Sequence, residues 1–231
     1  MSKAGLQQNP FSREEFAETY DSWFETPLGN LVDRLERALI FRLAQPKAGE
    51  RALDVGTGTG HFACLLAEQG LRVVGLDSSE AMLRVAREKG APVHWQRGEA
   101  EALPFPTGSF DLVLSVTTLE FVRDPAQALQ EMYRVLAPGG RMVIAVLNAN
   151  SPWAKVYQEE AQRQESPFRQ AHFFTPEEFL ALLGAYGRPR WNSSVFISPS
   201  GKGARFAPLL EWWGQHIARN RGALLVGRID K

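Results

Sequence analysis

Asp54, the glycines at 56, 58 and 60 that follow it, and a second acid at Asp77 are the residues of this chain best suited by type and spacing to hold a ligand. Glycine lacks a Cβ, so a loop carrying it at alternate positions can take positive φ and let a ligand lie directly against backbone amides. The helix expected just beyond directs its positive N-terminal end at the same place, which suits a nucleotide-like cofactor. Asp77 falls close to the ~20 residues after such a loop at which a carboxylate can accept hydrogen bonds from both hydroxyls of a ribose. The plainer readings are a tight turn for the glycines and a helix N-cap for Asp77. Ser78 or Ser79 can cap the next helix equally well, which leaves Asp77 for the sugar.

Such groups need strand ends to position them. Arg51 to Val55 and Leu71 to Asp77 read as short apolar strands, the second ending in its acid, and Glu80 to Lys89 reads as the helix after it. The alternation continues with an extended run from Pro92 to Arg97 and apolar strands from Phe110 to Val116 and Arg141 to Leu147. Between the last two lies a helix capped by Asp124, with Pro125 in its first turn and Ala128, Leu129, Met132, Val135 and Leu136 on one face; Pro138-Gly139-Gly140 is expected to end it. Strands alternating with helices imply crossover connections, hence an α/β fold with a mostly parallel sheet covered on both faces and ligands at the carboxyl ends of its strands. Phe11 to Gln45 reads as two helices separated by Pro27-Leu28-Gly29, carrying the aromatic cluster Phe16, Tyr20, Trp23 and Phe24. Further on come a helix near Trp153 to Gln164, a helix from a Thr175/Glu178 capping box to Ala185, and strands at Trp191 to Ile197 and Gly222 to Ile229 flanking Gly201 to Asn220.

With 231 residues, 44% hydrophobic and 23% charged, the chain can bury one substantial core. No apolar run approaches the ~20 residues of a membrane span, and the polar start has no signal-peptide character, so a cytoplasmic protein is expected. Twenty-six basic residues balance 26 acids, which argues against a general nucleic-acid binder. The balance is uneven: Arg188 to Lys231 holds eight Lys or Arg against two acids, a solvated face or a surface for an anionic substrate or partner. Cys64 is the single cysteine, so no intrachain disulfide or cysteine-based metal site forms, and no His, Asp or Glu pair shows metal spacing.

The nicotinamide pattern G-x-G-x-x-G would need its third glycine at His61, so that match fails. Asp54-x-Gly56-x-Gly58-x-Gly60 instead resembles motif I of the class I S-adenosylmethionine-dependent methyltransferases. The likeness extends over Tyr20-Asp21-Ser22-Trp23-Phe24, Gly75 to Leu83, Gly98 to Phe105, Ser109 to Leu114 and Arg134 to Gly140, and is to the type 11 enzymes, whose best-known relatives methylate quinone precursors. It implies a Rossmann-like, mostly parallel seven-stranded sheet with helices on both faces and an antiparallel last strand. It implies a helical lid over 1–45 and a cofactor domain over 46–231, with substrate-cap insertions near 148–174 and 201–220. S-adenosylmethionine would lie along Asp54, Gly56, Thr57, Gly58 and Gly60 and leave as S-adenosylhomocysteine. Asp77 with Ser78 would hold the ribose, while Met82, Glu99 and the amide of Ala100 would meet the adenine. Glu99 stands where the family usually has aspartate. Thr117 and Leu119 would lie beside the transferable methyl, and Tyr20 would cover the methionine end. Glu120-Phe121 replaces a pair that is often His-His in relatives.

Methyl transfer from a sulfonium is an in-line displacement on an activated donor, so positioning supplies much of the rate. Where a small-molecule acceptor must lose a proton, Tyr20, Glu120 and His172 are the candidate groups to take it. His61, His94 and His216 have no evident partner in the sequence. A dinucleotide oxidoreductase and a non-catalytic cofactor-binding module are the rival readings. The acceptor would be set by 11–29, 148–174 and 201–220, which match no motif, and the oligomeric state is not written in the sequence.

Overall fold

The computed structural model describes residues 10–163 and 166–231. Seven strands, β1 (Arg51–Val55), β2 (Arg72–Asp77), β3 (Val93–Arg97), β4 (Phe110–Val116), β5 (Leu136–Leu147), β6 (Arg190–Ser194) and β7 (Leu224–Asp230), form one sheet in the order β3-β2-β1-β4-β5-β7-β6. The first five pair in parallel, and β7 runs antiparallel to both its neighbours. This is the expected mostly parallel sheet with an antiparallel last strand. The order reverses between β1 and β4, which opens a crevice at their carboxyl ends.

Strand periodicity sorts side chains to two faces. Met142, Ile144 and Val146 of β5 join one core with helices α6 (Pro125–Val135) and α8 (Pro176–Gly184). Val143 and Ala145 join the other, with α3 (Pro27–Ala44) and α4 (His61–Glu68). Phe179 and Leu183 of α8 are fully buried, each worth about 1.5–3 kcal/mol of apolar transfer. Local signals set the helix starts: the Asp124 side chain accepts from Gln127 N at 3.0 Å, and Thr175 and Glu178 exchange capping-box bonds of 3.2 and 2.8 Å.

Three boundaries differ from expectation. The N-terminal part forms three helices, α1 (Glu14–Tyr20), α2 (Ser22–Glu25) and α3. Pro27 does not separate helices but opens α3, because Thr26 caps it by accepting from Gly29 N and proline needs no amide partner in a first turn. Pro138-Gly139-Gly140 lies inside β5, where Gly139 takes φ +76° and donates its amide to the carbonyl of Lys231. β6 stops at Ser194, since Val195 turns to φ +65°. The remaining helices are α5 (Glu80–Glu88), α7 (Pro152–Arg163) and α9 (Ala207–Ile217). Residues 1–9 of the expected 1–45 unit, and Gln164 at the end of the expected helix, lie outside the described residues.

Candidate functional site

The loop after β1 is held as a rigid turn. Gly56 N and Thr57 N both donate to the carbonyl of Leu76 on β2, at 2.8 and 2.9 Å, and Gly60 N returns to Thr57 O. Gly56, Gly58 and Gly60 take φ of +73°, +55° and +83°, the left-handed region in which a Cβ is costly. Their surroundings differ. A Cβ on Gly56 would lie 2.1 Å from Thr118 Oγ1, and one on Gly60 2.5 Å from the Trp95 ring, whereas one on Gly58 would meet nothing within 4 Å. The first and third glycines are needed for packing; the second borders open space.

Two acids flank this cradle. Asp77, at the end of β2, accepts from Gly58 N through one carboxylate oxygen and from Ser79 N through the other, both at 2.8 Å. Burial pushes its carboxyl above the ordinary carboxylate range, against the pull of those amides. A carboxylate has about four acceptor sites, so beyond these amides it retains capacity to accept from a ribose hydroxyl. Ser79, not Asp77, caps α5: its hydroxyl accepts from Met82 N. Asp54 is buried behind the turn, accepts from Thr57 Oγ1 at 2.7 Å, and is pushed by burial up to about 6. Met82 and Ala100 are buried, Glu99 is exposed on the rim, and Leu119 is part of the core beneath. Thr117, just after β4, takes a left-handed conformation, φ +49°, as Gln45 and Val195 also do.

The N-terminal helices roof the crevice. Thr59 of the loop donates to Asp21 at 2.6 Å, Asp21 pairs with Lys89 at 2.6 Å, and Ser79 Oγ donates to Phe11 O at 2.8 Å. His61 stacks on Phe24 at 4.4 Å and pairs with Asp33 of α3 at 2.6 Å, a partner the sequence did not reveal. Tyr20 sits at the centre of this roof. Burial, then Glu36, Asp21, Asp77 and Glu120, push its phenol up to about 12. From Phe11, rings run edge-on to Phe121 at 4.8 Å, and Phe168 stacks on Tyr157 of α7 at 4.5 Å.

Glu120 is 2% exposed. One of its oxygens accepts from Leu147 N at 2.6 Å, while the other is buried without a hydrogen-bond partner among the described residues. Burial pushes its carboxyl up to about 8. Glu36 on α3, which sequence reading passed over, is also pushed to about 8, by burial and by the charges of Asp33 and Glu211. His172 is placed differently from these two. Its side chain is 57% exposed, edge-on to Phe174 and 4.0 Å from Glu178, because only its backbone amide turns inward, to Glu120 O. Among the described residues no group of three or more His, Cys, Asp or Glu could hold a metal ion.

Residues 53–144 match the methyltransferase-domain family. The chain is 36% identical to the demethylmenaquinone methyltransferase of Renibacterium salmoninarum over 169 residues, 71% of each protein. It belongs to this methyltransferase family. An uncharacterised Mycobacterium tuberculosis protein is 40% identical over 175 residues, 74% of this chain and 58% of that protein, so the chain spans little more than half the length of that relative. The structure of a Thermotoga maritima protein, described as an S-adenosylmethionine-dependent methyltransferase and possible histamine N-methyltransferase, superposes with a TM-score of 0.69 at 28% identity, covering 93% of this chain and 95% of that one. The fold and family are those of methyltransferases that use S-adenosylmethionine, and the open face of Gly58 beside Asp77 fits that cofactor: a Cβ there would fill the space an adenosyl group needs.

Proposed function

We propose that the protein transfers a methyl group from S-adenosylmethionine to a small organic acceptor enclosed beneath residues 11–29, which act as a lid. The observation that carries this reading is the fastening of those helices over the glycine loop through Thr59, Asp21 and Lys89. A crevice roofed in this way favours a compact acceptor and excludes water from the transfer. The family's demethylmenaquinone methyltransferase supports a small acceptor as well.

Bound in the crevice, S-adenosylmethionine supplies a methyl already activated on a sulfonium. Asp77 would hold the ribose, with Ser78 alongside; the backbone of Gly56 to Gly60 would line the methionine and ribose, and Met82, Glu99 and Ala100 would border the adenine. Tyr20 would close over the methyl, with Thr117 and Leu119 on the far wall. The acceptor would lie among Phe121, Tyr157 and Phe168, and the unpartnered oxygen of Glu120 is the group suited to take its proton. His172, facing solvent, is left out of that role. The test is incubation with isotope-labelled S-adenosylmethionine and a metabolite extract, followed by mass spectrometry. Labelled small molecules are expected. Labelled protein or nucleic acid alone, or no label despite measurable cofactor binding, would refute the reading.

A further inference from the structure

Helix α9, with Phe206 just before it, presents apolar side chains to solvent. Phe206, Leu209, Trp212, Trp213 and Ile217 are between 50% and 66% exposed, and they account for five of the six large apolar side chains exposed among the described residues. The orientation of the helix is fixed from beneath. Ala207, Glu211 and Gly214 form its buried side, Glu211 accepts from Phe196 N at 2.8 Å, and the Phe196 ring occupies the space a Cβ on Gly214 would need. The aromatic side therefore cannot turn inward without breaking that packing. A patch of this kind on one helix marks a docking surface.

Charge indicates what covers it. Lys202 and Arg205 precede the helix and Arg219 and Arg221 follow it, all exposed, while Glu211, the lone acid of residues 198–222, is buried. Arg205 lies over the Phe206 ring at 4.7 Å, so cation and ring share one surface. A second copy of the chain docked face to face through this patch would bring like-charged flanks together. A bilayer with anionic headgroups instead accepts tryptophan and aliphatic side chains at its acyl boundary and the flanking cations at its phosphates. At 11 residues α9 is too short to span a membrane and is suited to lie in its plane. We propose that α9 is an interfacial anchor through which the protein docks on anionic phospholipid membranes.

The test is co-sedimentation of the full chain with vesicles of phosphatidylcholine alone and of phosphatidylcholine and phosphatidylglycerol in roughly equal parts, at low and high salt. Binding to the anionic vesicles, weakened by salt, is expected. Arg205→Gln and Arg221→Gln should each weaken it about fivefold, the equivalent of about 1 kcal/mol per cation at an anionic surface. Trp212→Ser with Trp213→Ser should reduce it about tenfold or more, since each buried ring adds apolar transfer. Both positions are exposed, so an unchanged circular dichroism spectrum and unchanged S-adenosylhomocysteine affinity are expected and separate loss of docking from loss of fold. No binding to anionic vesicles at low salt, or equal binding by the double tryptophan variant, would overturn the proposal. Self-association in analytical ultracentrifugation that disappears in that variant, without vesicle binding, would also overturn it and assign the patch to a second copy.

Discussion

Gly58→Ala tests whether this glycine serves the proposed cofactor or, like Gly60, packing. The new Cβ meets no protein atom within 4 Å, so its cost to the fold is the left-handed backbone alone, φ +55°, about 1–2 kcal/mol. For a domain of this size that lowers Tm by roughly 2–8 °C. The cost to the cofactor is larger. In the proposed site a methyl group there would push the ribose off the loop backbone, and losing two hydrogen bonds of about 1–1.5 kcal/mol each would weaken binding roughly a hundredfold. Gly60→Ala is the control: its Cβ would lie 2.5 Å from the Trp95 ring, so overpacking of about 1–3 kcal/mol adds to the backbone strain and stability falls first. Calorimetric titration with S-adenosylhomocysteine measures the affinity and scanning calorimetry the stability. In the wild type, ligand at a hundred times Kd adds about 2.7 kcal/mol of stability; in Gly58→Ala that increment should shrink toward zero. A folded Gly58→Ala protein with wild-type affinity would refute the assignment of this loop as the cofactor cradle.

Asp77→Asn retains the shape of the side chain but replaces one acceptor of two amide bonds with a donor, so cofactor affinity measured by titration should fall about ten- to a hundredfold; an unchanged Kd would exclude Asp77 from the ribose site. Glu120, raised from 4.5 to about 8, stays protonated in the native state over a range where the unfolded chain has lost the proton, so it lowers stability progressively as pH rises from about 4.5 to about 8. Glu120→Gln should flatten that decline in pH-dependent denaturation and remove the rise of kcat/KM toward pH 8 expected if this carboxylate takes the acceptor's proton; a rise retained by the variant would assign the proton to another group. Asp21→Ala cuts the bonds to Thr59 and Lys89, so hydrogen exchange across residues 14–25 should quicken without ligand and slow again when S-adenosylhomocysteine binds; exchange unaffected by either change would mean that these helices are fixed packing and not a lid.

The parts of this protein legible in its sequence are those set by neighbouring residues. Alternate glycines after an acid-bearing strand, Asp124 before Pro125 and the Thr175/Glu178 pair each act within one turn of chain, so their residue types were enough to place the cradle and the helix starts. The number of strands and the antiparallel last one, by contrast, came through the family likeness, and their order across the sheet only from the structure, because pairing across a sheet leaves no local mark. Pro27 was misplaced because its effect depends on the Thr26 cap, and for His172 the sequence could not show that its amide, not its side chain, turns inward to Glu120. Tertiary structure alone decided how strongly each acid is perturbed. The sequence marked Glu120 as a candidate but not its burial, and it passed over the half-buried Glu36; both carboxyls are raised by surroundings that elements distant in the chain supply. The same holds for α9, where Leu209, Trp213 and Ile217 repeat at helical spacing as a core face would, yet the chain buries the opposite side, since the small Gly214 and Ala207 are what fit beneath the helix while the tryptophans do not.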